Sequence, residues 1–178
     1  KVGEAGVTIM VQDAPLSGVD LPVPLLIKMA KEIETVKCFK IECAQAASKL
    51  RKLVFEGGDA IEGPFDGEEG ITLFADLEAG ATGNMSSAMI PDLIKPVVLD
   101  YLAGEFDKSE DKYNNILPLI NYENRQCGFR ATKVIMKEGG VINSDFCRHP
   151  ILPLEEQTKA RLIKLIKKYD PIALSWGK

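Results

Sequence analysis

Histidine is almost missing from this 178-residue chain, and basic side chains are in deficit. The one histidine, His149, and four cysteines (Cys38, Cys43, Cys127, Cys147) without Cys-x-x-Cys spacing argue against a structural zinc or iron–sulfur site. The 22 Lys and Arg against 26 Asp and Glu give a formal charge of −4 and a pI near 5.2. That balance lacks the clustered basic surplus of a nucleic-acid-binding surface. The longest unbroken run of apolar residues and proline, Leu21 to Ile27, is seven residues, where a bilayer needs about 18. The opening residues do not read as a charged-then-apolar leader. The chain opens on Lys1 rather than Met, and Lys1 to Gly6 reads as a helix tail running into a strand, so the sequence is expected to begin inside a longer protein. At 46% apolar and 27% charged residues, it is neither disordered, collagen-like nor a disulfide scaffold. The four thiols are expected to be unpaired and buried, in a reducing cytoplasm.

What is present falls into two textures. From Gly6 to about Met89, short β-like runs alternate with helical periods. The runs are Val7–Val11, Val36–Cys43, Asp59–Gly63 and Ala81–Met85; the helical stretches are Val23–Thr35, Ala44–Phe55 and about Glu68–Glu78. Strands separated by single amphipathic helices predict βαβ units and a parallel sheet. From Pro91 onward the β texture disappears, and helices are predicted at 91–103, 111–125 (with a kink at Pro118), 130–137 and 154–169. The division is therefore residues 1–90, four β/α repeats, and residues 91–178, helical.

The stretch Val36-Lys37-Cys38-Phe39-Lys40-Ile41-Glu42-Cys43 carries the most chemistry. On a strand, alternate side chains face opposite ways. Phe39, Ile41 and Cys43 then pack under the helices, and Cys38, Lys40 and Glu42 share the other face. A Lys and a Glu side by side on a parallel strand are costly, because such strands usually read as continuous apolar runs. The pair is either a structural ion pair, a surface pair in another register, or functional. The functional reading is specific. A lysine in a partly dry pocket loses its proton more readily and can attack a ketone to form a Schiff base. The protonated imine acidifies the neighbouring carbon, and a carboxylate two residues along the strand can move that proton. An ionised Glu42 would oppose this activation, a tension that desolvation or protonation of Glu42 would relieve.

At these residues the chain resembles the dihydrodipicolinate synthase/N-acetylneuraminate lyase superfamily of Schiff-base (β/α)8 barrels. The imine lysine of that superfamily sits in a sixth-strand pattern like Phe39-Lys40-Ile41-Glu42. The likeness continues through Val11-Gln12-Asp13-Ala14-Pro15, Gly58-Asp59-Ala60-Ile61-Glu62-Gly63 and Gly80-Ala81-Thr82-Gly83 as fifth, seventh and eighth strands, then into the helical tail. Met10 to Pro15, Gly57 to Glu69, Asn121 to Gln126 and Arg148-His149-Pro150 resemble its dehydratase branch, which acts on 2-keto-3-deoxy sugar acids. The resemblance implies an α/β fold, the C-terminal half of a TIM barrel (strands 5–8) over residues 1–90, with the final barrel helix and a helical region over 91–178. It implies a cytoplasmic hydro-lyase with Lys40 and Glu42 catalytic, Gln12, Gly63 and Thr82 lining the substrate site, and no cofactor or metal. Its partners would be a small 2-keto acid and further copies of itself (a tetramer at full length), with no nucleic acid and no membrane.

Departures narrow the choice. Aldolases and the synthase of this superfamily use a fifth-strand tyrosine as proton relay where this chain has Gln12, and Leu16-Ser17-Gly18 supplies no carboxylate-binding arginine. A glutamine amide is no acid at neutral pH, so a tyrosine-dependent retro-aldol step is disfavoured and Glu42 becomes the better acid–base group. An aldolase or a synthase-like enzyme remains the alternative activity, and a catalytically dead barrel used in assembly the non-enzymatic one. A closed barrel needs eight strands and about 250 residues; these four strands alone are expected to be inactive and poorly soluble. His149 is expected to be structural or exposed. Asp66-Gly67-Glu68-Glu69 lacks calcium-loop spacing and reads as a solvated helix start, and Glu123-Asn124-Arg125-Gln126 as a helix cap or helix contact.

Overall fold

The computed structural model describes all 178 residues, Lys1–Lys178. They form two compact units, Lys1–Met85 and Ser86–Lys178.

The first unit is a four-stranded parallel sheet in the order β1-β2-β3-β4: β1 (Ile9–Asp13), β2 (Val36–Ile41), β3 (Pro64–Asp66) and β4 (Gly83–Asn84). Helices α1 (Val23–Glu32), α2 (Ala46–Gly57) and α3 (Leu73–Glu78) supply the crossovers. Pro24 falls in the first turn of α1, where a missing N–H costs nothing. The core lies between helices and sheet. Leu26 from α1, Leu50 and Leu53 from α2, and Phe39 and Ile41 from β2 are fully buried together. Each such side chain contributes roughly 1.5–3 kcal/mol by leaving water. The strand period of two therefore reads as expected: Phe39 and Ile41 turn to the helices, and Cys43 packs partly against the same core.

The first strand is shifted from Val7–Val11 to Ile9–Asp13 and the fourth shortened to Gly83–Asn84, and two elements of this unit differ more. The third strand is not Asp59–Gly63 but Pro64–Asp66, preceded by a 3-10 turn at Gly58–Ala60. Ile61 folds back onto the end of α2, where its Cγ1 occupies the space a Cβ on Gly57 would need. Gly63 then takes φ +46°, which breaks the extended run. The helix expected from Glu68 begins only at Leu73. The side chain of Asp66 captures the Glu68 N–H at 2.8 Å, and Glu69 and Gly70 adopt φ +57° and +86°, so the intervening residues form a turn.

The second unit is helical: α4 (Pro91–Leu102), α5 (Phe106–Tyr122), α6 (Arg130–Glu138) and α7 (Glu156–Ile166). Ser109 of α5 donates to the Val97 carbonyl of α4 at 2.8 Å. Helix α5 starts five residues before the expected 111 and continues through Pro118. Glu123–Cys127, expected as a cap or contact, forms one π-helical turn that buries Glu123 and Cys127. Leu162, Leu165 and Ile166 share the buried stripe of α7, while Tyr169 lies past its end.

Candidate active site

The register of the parallel ladder places Gln12 opposite Lys40. Lys40 points away from the helix-facing core that holds its neighbours Phe39 and Ile41, and Glu42, just past the end of β2, turns to the same side. The Lys40 ammonium stands 2.9 Å from Glu42 Oε2, with side chains only 16% and 27% exposed. Gln12 donates from Nε2 to the same oxygen at 2.5 Å. Two residues from adjacent strands, Gln12 and Lys40, thus converge on one oxygen of Glu42. The Glu42 backbone is fixed as well, its N–H donating to the Asp13 carbonyl at 2.9 Å.

Asp13, one residue past Gln12, faces the opposite way and is completely buried. It receives the Lys49 ammonium of α2 at 2.6 Å and the Leu21 N–H at 3.1 Å. Lys49 also reaches Asp20 at 2.7 Å. Burial works against the charged amine, but hydrogen bonds to Asp13 and Asp20 outweigh it and hold Lys49 above the ordinary lysine range. This clamp ties the β1–α1 loop and α2 to the carboxyl end of β1, beside the strand that carries Lys40.

Beyond β3 the turn Asp66–Gly70 comes up against Glu42. The Gly67 N–H donates to the Ile41 carbonyl at 2.9 Å, and a Cβ on Gly67 would meet Glu42 Cβ at 2.8 Å. This turn is not the solvated helix start that its composition predicts: Asp66 and Gly67 are buried and Glu68 and Glu69 half-buried. Burial pushes the Glu69 carboxyl up, with Lys40 opposing the shift and Glu42 and Asp66 adding to it. The sequence reading took Glu69 as part of a solvated helix start and gave it no role at the site. No cluster of three or more His, Cys, Asp or Glu side chains is placed to hold a metal ion.

Gly63 and Thr82 stand elsewhere. Lys40 pairs with Phe65, and Phe65 with Gly83, so Gly63 and Thr82 precede β3 and β4 at the amino ends of those strands. Glu42 and Gly67 mark the carboxyl ends. A Cβ on Gly63 would lie 3.0 Å from the Phe65 ring and 3.7 Å from Thr82 Oγ1, and one on Gly83 would lie 2.7 Å from the same ring. Small residues here make room for Phe65. The expected grouping of Gly63 and Thr82 with Gln12 at the carboxyl ends is therefore corrected by the β3 register.

The second unit holds a groove of about 470 Å³ bordered by Arg130, Cys147, His149, Leu152 and Lys159. Its lysine, arginine and aspartate groups are engaged internally: Lys159 and Lys137 bind Asp145 at 2.5 and 2.7 Å, and Arg130 donates to the Cys127 and Leu152 carbonyls. Those lysines hold the Asp145 carboxyl far below its usual range. His149 is exposed on the loop after Cys147. The four cysteines are free, Cys127 and Cys147 buried and Cys38 and Cys43 half-buried. Burial pushes the Cys127 thiol up to about 11, so it remains protonated and inert. No helix is long and apolar enough to cross a membrane.

The sheet is a parallel β/α sheet with a Lys–Glu pair on its open face, and residues 2–169 match the Dihydrodipicolinate synthetase family; the chain belongs to that family. Within it, the chain is 52% identical over 171 residues to L-2-keto-3-deoxyarabonate dehydratase from Azospirillum brasilense, covering 96% of this chain and 55% of that protein. The chain thus spans about half the length of this curated relative. Crystal structures of dihydrodipicolinate synthase share its fold. The Rhodopseudomonas palustris protein superposes with a TM-score of 0.82 at 24% identity, covering 92% of this chain and 56% of its own. The Aquifex aeolicus protein gives 0.84 at 20% identity, covering 95% and 58%.

Proposed function

We propose that this chain carries the catalytic lysine of a hydro-lyase acting on a 2-keto-3-deoxy sugar acid, with L-2-keto-3-deoxyarabonate as the substrate. The observation that carries the reading is the 2.9 Å contact between Lys40 Nζ and Glu42 Oε2 on the face turned from the helical core. A merely structural pair would gain more from pointing into water, since burying ions costs several kcal/mol each. The 52% identity to the Azospirillum dehydratase supports the choice of substrate.

In this mechanism the Lys40 amine condenses with the C2 ketone and releases water. The protonated imine draws electrons from C3, and Glu42 takes the C3 proton. Both protein contacts to Glu42 fall on Oε2, which leaves Oε1 to meet the substrate. The resulting enamine expels the C4 hydroxyl as water once it is protonated. Water loss leaves a C3–C4 double bond conjugated with the imine. A proton leaves C5 and one returns to C3, giving a C4–C5 enol that takes a proton at C4 to become the aldehyde. Hydrolysis of the imine releases 2-oxoglutarate semialdehyde and frees Lys40. Gln12 orients Glu42 and supplies no proton, which favours elimination over the tyrosine-relayed aldol route. The four strands correspond to the second half of an eight-stranded barrel, whose active site gathers at the carboxyl ends of the strands.

Borohydride reduction in the presence of pyruvate or a 2-keto-3-deoxy acid tests the reading in the intact protein. The expected result is a stable adduct on Lys40. Glu42→Gln should keep the adduct and lower turnover by about 10²–10⁴-fold, the usual worth of a positioned acid–base group. Absence of any mass increase would favour a dead barrel with an assembly role, and release of pyruvate an aldolase.

A further inference from the structure

Behind the turn that borders Glu42, two carboxyl groups have no exposed surface: Asp66 at the end of β3 and Asp76 in α3. Asp66 Oδ1 accepts the Glu68 N–H at 2.8 Å, and its Oδ2 accepts the Asn84 amide from β4. Asp76 Oδ2 accepts the Thr72 hydroxyl at 2.6 Å, while Oδ1 meets no protein donor. The remaining contact joins the two side chains to each other. Two ionised carboxylates cannot hydrogen-bond, because each can only accept. The charged neighbours of the pair are Glu68 and, toward Asp66, Glu69, all acidic; no cation forms an ion pair with either carboxyl. One proton between the two oxygens satisfies both at once.

We infer that Asp66 and Asp76 hold a single proton between them and serve as positioning residues, clamping the turn that lays Gly67 against Glu42. Asp66 ties β3 to β4 through Asn84 and starts the turn through Glu68, and Asp76 anchors that assembly to α3. The turn reaches the Lys40–Glu42 pair by two routes: the Gly67 N–H on the Ile41 carbonyl, and the charge of Glu69, which interacts with both Lys40 and Glu42. Burial holds both carboxyls above the usual range, and the neighbouring charges of Asp66 and Glu68 add to it at Asp76, which reaches about 7. With rising pH the pair loses its proton, the two charges repel in a dry space, and the turn loosens from Glu42. The effect on turnover rests on the Schiff-base reading; the shared proton itself does not.

Two measurements separate these layers. Infrared spectra of the protein near neutral pH should show the carbonyl band of a protonated carboxyl, and Asp76→Asn should remove it. A spectrum without that band, or one unchanged by the substitution, overturns the inference whatever the enzyme does. In the pH profile of turnover, the wild type should fall roughly tenfold per pH unit above the titration of the pair. Asp76→Asn supplies a permanent amide donor in place of the proton and should hold its activity across that range. Asp76→Ala, with no donor, should be poor at every pH, and a variant profile that falls like the wild type overturns the positioning role. Failure of borohydride trapping in all three proteins would strike the Schiff-base reading and leave the infrared result standing.

Discussion

Lys49 and Asp13 carry the sharpest stability argument at the level of single residues. The Asp13 side chain has no exposure and Lys49 only 14%, at 2.6 Å. Removing one partner of such a pair leaves an uncompensated buried charge, which costs roughly 3–5 kcal/mol. Lys49→Met should therefore lower unfolding free energy by about that amount in denaturant titrations, less whatever water reaching Asp13 recovers. A loss below about 1 kcal/mol, the usual value of a surface pair, would mean the clamp is a surface feature. The sign with pH follows from the raised Lys49 titration: a cation favoured by folding stabilises below its unfolded value. That contribution disappears only as pH climbs through the raised folded value, above the ordinary lysine range. The Asp66–Asp76 proton acts in the same sense, in a lower pH window. With folded carboxyls raised, its stabilisation is complete below the ordinary Asp range and is lost as pH rises through about 7.

Among elements, the C-terminal turn shows how closely backbone can approach backbone. A Cβ on Gly139, at the end of α6, would stand 1.7 Å from the Ala173 carbonyl oxygen, and the Gly177 N–H donates to the Gly139 carbonyl at 3.1 Å. Gly139→Ala must displace main chain and should cost about 3 kcal/mol or more, the upper end of overpacking. Gly104→Ala, where φ is +82° and nothing lies within 4 Å, meets only the left-handed penalty of about 1–2 kcal/mol. Thermal unfolding of the two variants side by side checks the order; equal midpoints would contradict the packing described for α6. The displaced third strand belongs to this scale too. Asp59-Ala60-Ile61-Glu62-Gly63 has strand-like composition, yet Ile61 is drawn onto α2, and pairing begins at Pro64, opposite Phe39. Composition does not say which of two neighbouring short runs a helix will claim.

For the whole molecule, the sheet order leaves β1 and β4 as unpaired edges. It also leaves Gln12 exposed on the face that carries Lys40. On the barrel reading, that face becomes an interior only when four further strands close around it. The 178-residue chain assayed alone should then show no detectable dehydration of 2-keto-3-deoxy acids, and should self-associate through its edges in sedimentation. A cooperative, active monomer would refute the half-barrel reading.

What the amino-acid sequence determined by itself is local and periodic. Alternation along Val36–Cys43 set Lys40 and Glu42 on the face opposite Phe39 and Ile41, and the order of runs and helical stripes dictated a parallel β/α sheet before a helical unit. Tertiary structure decided which distant groups meet. The Gln12 amide on Glu42, the Lys49 clamp on Asp13 and the Asp66–Asp76 pair join residues 30, 36 and 10 positions apart. Register, too, was decided there, moving Gly63 and Thr82 to the amino ends of their strands. The physical reason is common to these cases: a strand's faces follow from its own backbone geometry, whereas its register and the pairing of buried charges depend on how neighbouring elements divide the same space.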